Sequence, residues 1–213
     1  MKYSIPIACA LLLAAAASAH VPAAAGLVEA WEIGPTIRGR NYSQGVPPHP
    51  VPGAHGAWSI DLPRAPGSVH YVTFHHGSLA GKRRLVMRYR IDAAPGVWVR
   101  PITAPQLPSI LTLYFQRGGD TWSGRGPFEG YRWYATFASH SPIIAGEHTV
   151  VAPLDGNWTA VGSSSARSNP RAFAAARDAA DRVGFVLGGG DGYGHGVFAT
   201  GRARLTVLDF RVE

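Results

Sequence analysis

The stretch Leu85-Val86-Met87-Arg88-Tyr89-Arg90-Ile91 decides the fold. Its residues Leu85, Met87, Tyr89 and Ile91 recur at every second position, with Arg88 and Arg90 between them. A strand turns successive side chains to opposite faces, so this spacing sets one face against a core and the other in water. A helix would scatter the same residues around its circumference. One wet face also favours antiparallel pairing, because parallel sheets are covered on both sides.

The same period continues on the C-terminal side. Within residues 110–116, Leu111, Leu113 and Phe115 oppose Thr112, Tyr114 and Gln116. Within residues 131–137, Tyr131, Trp133, Ala135 and Phe137 oppose Arg132, Tyr134 and Thr136. Further strands are predicted over 69–74, 148–154, 182–187 and 197–200, with shorter ones over 31–33 and 57–62. The closing run, 203–212, changes phase: Leu205 and Val207 share one parity, and Leu208, Phe210 and Val212 the other. That predicts a bulge near Val207. The 26 glycines and 17 prolines are spread along the chain as turn punctuation rather than gathered in a linker. A proline-rich stretch, 45–56, reads as a stiff loop.

One segment reads as helix. Asn169 is a good N-cap, Pro170 suits the first helical position, and residues 171–181 are rich in alanine. One short helix among roughly ten strands predicts an all-β fold. The expected architecture is a two-sheet antiparallel β-sandwich wound as a jelly roll, which tolerates one helical insertion and long corner loops.

The ends and the composition narrow the classes. Lys2, an apolar run over 5–17 and Ala17-Ser18-Ala19 form the layout of a secretory signal peptide. The apolar run falls short of the roughly 20 residues that cross a bilayer. Cleavage is expected before His20, or as late as after Ala25. One domain over 26–213 would then be exported to the periplasm or outside the cell, with no integral membrane segment. Cys9, the only cysteine, lies in that leader, so the exported part has no disulfide, thiolate metal site or cysteine nucleophile. The net charge of +7 comes from 18 arginines and 2 lysines, scattered except for Lys82-Arg83-Arg84. A nucleic-acid surface needs a basic stripe or a recognition motif, and neither is present. A weak attraction to anionic polymers or lipids is compatible with this charge.

The chemical motifs mostly dissolve on inspection. Residues 188–196 read GGGDGYGHG and contain G-x-G-x-x-G, but a dinucleotide site needs a helix after the glycines, and a strand pattern follows here. Asp191, Tyr193 and His195 in that loop are either rim residues that contact a ligand or residues that hydrogen-bond the loop to itself. His75 and His76 are adjacent and so point to opposite faces of a strand. The remaining metal possibility is a cross-strand set drawn from His70, His75, His140 and His195. Gly162-Ser163-Ser164-Ser165 lacks the pattern of a nucleophile elbow. No spacing pairs any two of Glu29, Glu32, Asp120, Glu129 and Asp155 as an acid and a base. No catalytic residue, metal or cofactor is assigned.

Residues 116–134, QRGGDTWSGRGPFEGYRWY, are the most suggestive. Asp120 and Trp122 sit in a polar, glycine-rich loop between two strands. Tyr114, Gln116, Arg132 and Tyr134 point outward from those strands. Aromatic rings beside polar side chains suit sugars: rings stack on C–H faces while polar groups take the hydroxyls. Alternatively, Trp122 and Phe128 fold back to cap the edge of the core.

The C-terminal third resembles the galactose-binding-domain-like β-sandwich of bacterial carbohydrate-binding modules. The likeness rests on Trp158, the helix over 169–181, Arg182-Val183-Gly184-Phe185-Val186-Leu187-Gly188-Gly189, Gly194-His195-Gly196-Val197 and the closing Phe210-Arg211-Val212. It implies a jelly roll that binds sugar, often beside a structural calcium ion. No calcium-ligand cluster matches residue by residue, and here nearly the whole chain is sandwich, without the catalytic domain such modules usually accompany. The expected function is that of an exported, non-catalytic carbohydrate-binding protein. Its alternatives are a polysaccharide lyase or hydrolase and a structural envelope protein with a protein partner.

Overall fold

A computed structural model describes residues 28–136, 140–189 and 195–213. The expected leader with Cys9, Phe137, Asp191 and Tyr193 lie outside the described residues. Strands β1 (Trp31–Gly34), β2 (Thr36–Ile37), β3 (Arg40–Asn41), β4 (Val51–Pro52) and β5 (Trp58–Leu62) come first. Next are β6 (Tyr71–His75), β7 (Arg84–Ala93), β8 (Val99–Pro101), β9 (Ile110–Arg117) and β10 (Arg132–Tyr134). Then β11 (Ser141–Pro142), β12 (Gly146–Pro153) and β13 (Thr159–Ala160) lead to the helix α1 (Pro170–Asp178). The chain closes with β14 (Ala180–Gly188), β15 (Val197–Ala199) and β16 (Ala203–Val212).

The larger sheet has the order β1-β6-β14-β9-β10-β13, with β11 also on β9, and the smaller sheet the order β12-β7-β16-β5-β4. Pairing within both is antiparallel. Two short pairs, β8 with β15 and β2 with β3, flank them. The long strands β5, β6, β7, β9, β12, β14 and β16 fall alternately in the smaller and the larger sheet, which is a jelly-roll winding. Leu85, Met87, Tyr89 and Ile91 lie in one continuous core with Leu111, Leu113, Phe115 and Phe185 from the facing sheet. Trp31 binds the layers together, its ring 4.7 Å from Trp58 and 4.5 Å from Phe74.

The local signals resolve as follows. In β16 the register shifts between Val207 and Asp209, so Leu205, Val207 and Phe210 all reach the core despite their opposed parities. Asn169 caps α1 by accepting from the Ala172 N–H. The helix stops at Asp178, three residues short of expectation, because Ala180 already pairs with Arg117 in β14. Phe173 ties α1 to the core, with its ring 5.0 Å from Trp133.

One expectation fails in an informative way. Thr112, Tyr114 and Gln116 do point away from the core, but that face is not wet: every residue from Leu111 to Gln116 is buried. A second apolar cluster of Tyr71, Tyr114, Tyr134 and Val186, with Trp122 and Val161 over it, covers the outer face of the larger sheet. Gly184 lies among these rings, and a Cβ there would sit 2.1 Å from the Val72 carbonyl oxygen.

At one end of the sandwich, Val69 and Val197 exchange backbone hydrogen bonds, which lays Gly196 against His70. Gly196 has φ +96°, and a Cβ there would meet His70 Nε2 at 2.5 Å. Burial, with the nearby His195 as a smaller effect, lowers the His70 pKa from 6.5 to about 4. Between these values the unfolded chain binds a proton that the folded protein does not. Stability is therefore lost as pH falls from 6.5 towards 4. Solvent screening at this partly exposed ring limits the loss to roughly 1–2 kcal/mol. Urea midpoints measured from pH 7 down to pH 5 should fall for the wild type, and the His70→Gln variant should flatten that slope. An unchanged slope in the variant would remove His70 as its source.

Candidate functional site

The outer cluster is locked by a buried charge. The loop between β9 and β10 folds back over the sheet, where Asp120 and Arg132 meet with side chains 0% and 7% exposed. Arg132 Nε lies 2.7 Å from Asp120 Oδ2, its N–H directed off the hydrogen-bond line. The guanidinium donates instead from Nη2 to the Trp122 carbonyl, 3.0 Å away, and its carbon lies 4.9 Å from the Trp122 ring centre. Asp120 accepts from Gln116 Nε2 at 3.1 Å and from the Trp122 N–H at 2.9 Å. The Tyr114 hydroxyl donates to Gln116 Oε1 at 3.2 Å, and the Tyr71 and Tyr134 hydroxyls are 2.7 Å apart. Burial pushes the Tyr114 and Tyr134 pKa values well above their ordinary value, so both phenols stay neutral. Trp122 adopts φ +65°, a sparsely populated backbone state for a bulky residue, held here by the Asp120 bond beneath it.

Tyr114, Gln116, Asp120, Trp122, Arg132 and Tyr134 are thus brought together, as the sequence suggests. Their roles differ from a contact surface. Four of them are buried strand residues, the Asp120 carboxylate is enclosed, and their polar atoms bind one another. The half-buried Trp122 ring also lines a cavity. The fold-back alternative holds for Trp122, which covers the outer cluster rather than the edge of the core, with its ring 5.1 Å from Tyr71. His195 is exposed and belongs to the His70 end of the sandwich.

Beside the locked cluster the same face opens into a groove of about 360 Å³. Trp122 and Tyr71 form one side, β1 and the chain around His49 the other, and Thr73 and Arg182 lie on the sheet between them. Strand register creates this juxtaposition: Glu32 on β1 pairs with Thr73 on β6, and His75 on β6 pairs with Arg182 on β14. Arg182 Nη1 donates to Glu32 Oε2 at 2.6 Å and more loosely to Thr73 Oγ1 at 3.4 Å. Arg182 Nη2 lies 2.7 Å from His75 Nε2, and His75 Nδ1 lies 2.9 Å from Asp181 Oδ1. A guanidinium can only donate, so His75 Nε2 accepts and the ring proton sits on Nδ1, facing Asp181. His49 Nδ1 donates to the Trp31 carbonyl at 2.8 Å, which leaves Nε2 as the acceptor of a ring lining the groove.

Sequence reasoning marked Glu32 as a suggestive acid but missed Tyr71, Thr73, His49 and Arg182 as its companions. The available signal was the polar residue at alternate positions of β1, β6 and β14; the adjacency of those strands is a tertiary fact. The groove combines aromatic rings, a hydroxyl, a carboxylate and a guanidinium, a set suited to an uncharged polyol. Among the described residues no three His, Asp or Glu side chains converge on a metal position. No protein-family description matches this chain, and no curated protein is significantly similar to it.

Removing one partner of the locked charge would leave the other buried and unpaired. Asp120→Ala should cost about 3–5 kcal/mol in urea unfolding. Adding Arg132→Met should recover much of that loss, because the uncompensated cation is then gone. Equal stability of the single and double variants would show that the pair does not act as a unit.

Proposed function

We propose that this chain is an exported, non-catalytic carbohydrate-binding protein whose ligand is a neutral glycan held in the groove between Trp122 and β1. The observation that carries this reading is the Glu32–Arg182 pair on the groove floor beside the Trp122 and Tyr71 rings. Sugars present C–H faces to aromatic rings and adjacent hydroxyls to paired acceptors and donors. The groove lies near the lower end of the roughly 300–1,000 Å³ typical of small-molecule sites, which suits a short sugar segment.

The charge balance selects among glycans. The positive charge of Arg182 is matched by Glu32 at 2.6 Å, so the floor offers little net attraction to an acidic sugar despite the chain's +7. Glu32 is the only carboxylate of the described residues that lines the groove, whereas glycosidase chemistry uses two across the scissile bond. The galactose-binding-like resemblance favours the same reading, and the signal-peptide layout supplies the exported context.

Isothermal titration against neutral and uronic-acid oligosaccharides tests this proposal. The wild type should bind a neutral member. Glu32→Gln should weaken that binding about tenfold, the worth of one charge-assisted hydrogen bond, roughly 1.5 kcal/mol. The same change removes the nearer of the two carboxylates at Arg182, leaving Asp181 at 3.9 Å, and should shift preference towards uronic acids. Absence of wild-type binding across the panel, or unchanged affinity in Glu32→Gln, would overturn it.

A further inference from the structure

A second surface, independent of the groove, carries a different chemistry. Where β7 turns into β8, residues 93–99 and 143–145 enclose an apolar cavity of about 270 Å³. Its inner wall is ordinary core: Ile91 and Ile143 are 2% exposed and Val99 7%. Its outer rim is not, because Trp98 is 55% exposed and Ile144 53%. The exposure of Trp98 is built in. Its N–H donates to Thr200 Oγ1 at 2.9 Å, and its carbonyl accepts from the Thr200 N–H at 2.8 Å. The backbone is therefore fixed on both sides while the indole stands out. The neighbouring segments are also tied together: Ser109 Oγ donates to the Val99 carbonyl, and the Ile143 N–H donates to the Ser109 carbonyl.

Cations border this apolar rim. The Arg100 guanidinium lies 5.0 Å from the Trp98 ring centre. Gly201 packs on Val97, where an added Cβ would meet Val97 Cγ2 at 2.7 Å, and this places Arg202 beside the same turn. Arg202 also acts through space on Asp61, whose direct ion-pair partner is Arg204. Arg204 and Arg90 nearby form the close ion pairs, with Asp61 and Asp92.

We propose that this rim docks on an anionic lipid surface, with Trp98 and Ile144 entering the interfacial layer and Arg100 and Arg202 on the headgroups. Tryptophan favours the membrane–water boundary, where an apolar ring and a polar N–H are both accommodated. The half-buried Arg100 and the exposed Arg202 are drawn to the negative potential of anionic headgroups. A second copy of the chain fits less well. A two-fold contact would bring the same arginines face to face. Two exposed large side chains also fall short of the roughly 800 Å² per partner that a stable interface buries. The attachment is shallow and reversible, as for other small apolar insertions with electrostatic support.

Cosedimentation of the full chain with vesicles tests the proposal, using phosphatidylcholine alone and phosphatidylcholine with phosphatidylglycerol. Binding should appear with phosphatidylglycerol, weaken as salt is added, and fall about tenfold in Trp98→Ser with Ile144→Ser. Circular dichroism and the urea midpoint check that the double variant is folded. If it is not, Arg100→Gln with Arg202→Gln should produce a similar loss while leaving the apolar rim intact. Equal binding of wild type and folded variants would assign the effect to the apolar run over 5–17 and overturn the proposal. So would binding indifferent to phosphatidylglycerol, or no binding at all. Self-association in light scattering that the variant abolishes, without vesicle binding, would give the face to a second copy and would also overturn it.

Discussion

The architecture depends on covering the larger sheet twice. Its inner face is buried by the smaller sheet in the ordinary way of a sandwich. Its outer face carries Tyr114, Gln116, Arg132 and Tyr134, whose polar atoms could not be taken out of water unpartnered without a cost of several kcal/mol. The loop that folds back brings the missing partners with it: the Asp120 carboxylate and the Trp122 carbonyl. Burial of the outer face and placement of the loop are thus one event. A guanidinium and a carboxylate enclosed together fix the loop more tightly than an apolar lid would, since any displacement strands a charge.

The groove is what this second layer leaves uncovered. The layer ends at Trp122, so the outer face stays open over Thr73 and Arg182 towards β1. The wall of the groove therefore inherits the rigidity of the buried pair, although neither Asp120 nor Arg132 lines it. Gly184 contributes from within the sheet. Its position admits no side chain, and the close approach to Val72 lets the tyrosine cluster sit directly on the backbone between Thr73 and Tyr114. A ligand would meet a surface organised before its arrival, which reduces the ordering cost of binding.

How much of this was readable follows from where the information resides. The inner face was legible because apolar alternation at Leu85–Ile91 and Leu111–Phe115 has one physical cause, and the phase change near Val207 appears as a register shift. The N-cap at Asn169 was legible because capping is local. The helix end was not: competition between three more helical residues and pairing of Ala180 with Arg117 is decided by the sheet. The outer face was misjudged for a related reason. Period-two polarity at Thr112, Tyr114 and Gln116 looks identical whether water or a folded-back loop satisfies it. The aromatic loop over 116–134 folds back on the sheet, and of its residues Trp122 reaches the groove while Asp120 and Arg132 are enclosed behind it. The floor of the groove unites positions 32, 73 and 182, and that grouping exists only once β1, β6 and β14 are known to be neighbours.

Trp98 and Trp122 show how the same residue type comes to opposite uses on one scaffold. Both lie in irregular segments close to glycines. Trp122 has a carboxylate beneath its N–H and a guanidinium against its ring, so its conformation is fixed by polar partners that are themselves buried. Trp98 is hydrogen-bonded through its backbone to Thr200, and its ring, bordered by the Arg100 guanidinium, stays 55% exposed. The groove side is also satisfied in advance, because Glu32 and Arg182 already bind each other at 2.6 Å. On the proposed reading a sugar hydroxyl would share that charge-assisted bond rather than find a free one, so the polar floor would add about one bond's worth of affinity to stacking on Trp122. Modest affinity at a single groove would follow from that reading. Tight retention on a polymer or at a surface then requires a second point of contact, because two linked weak contacts hold far better than either alone.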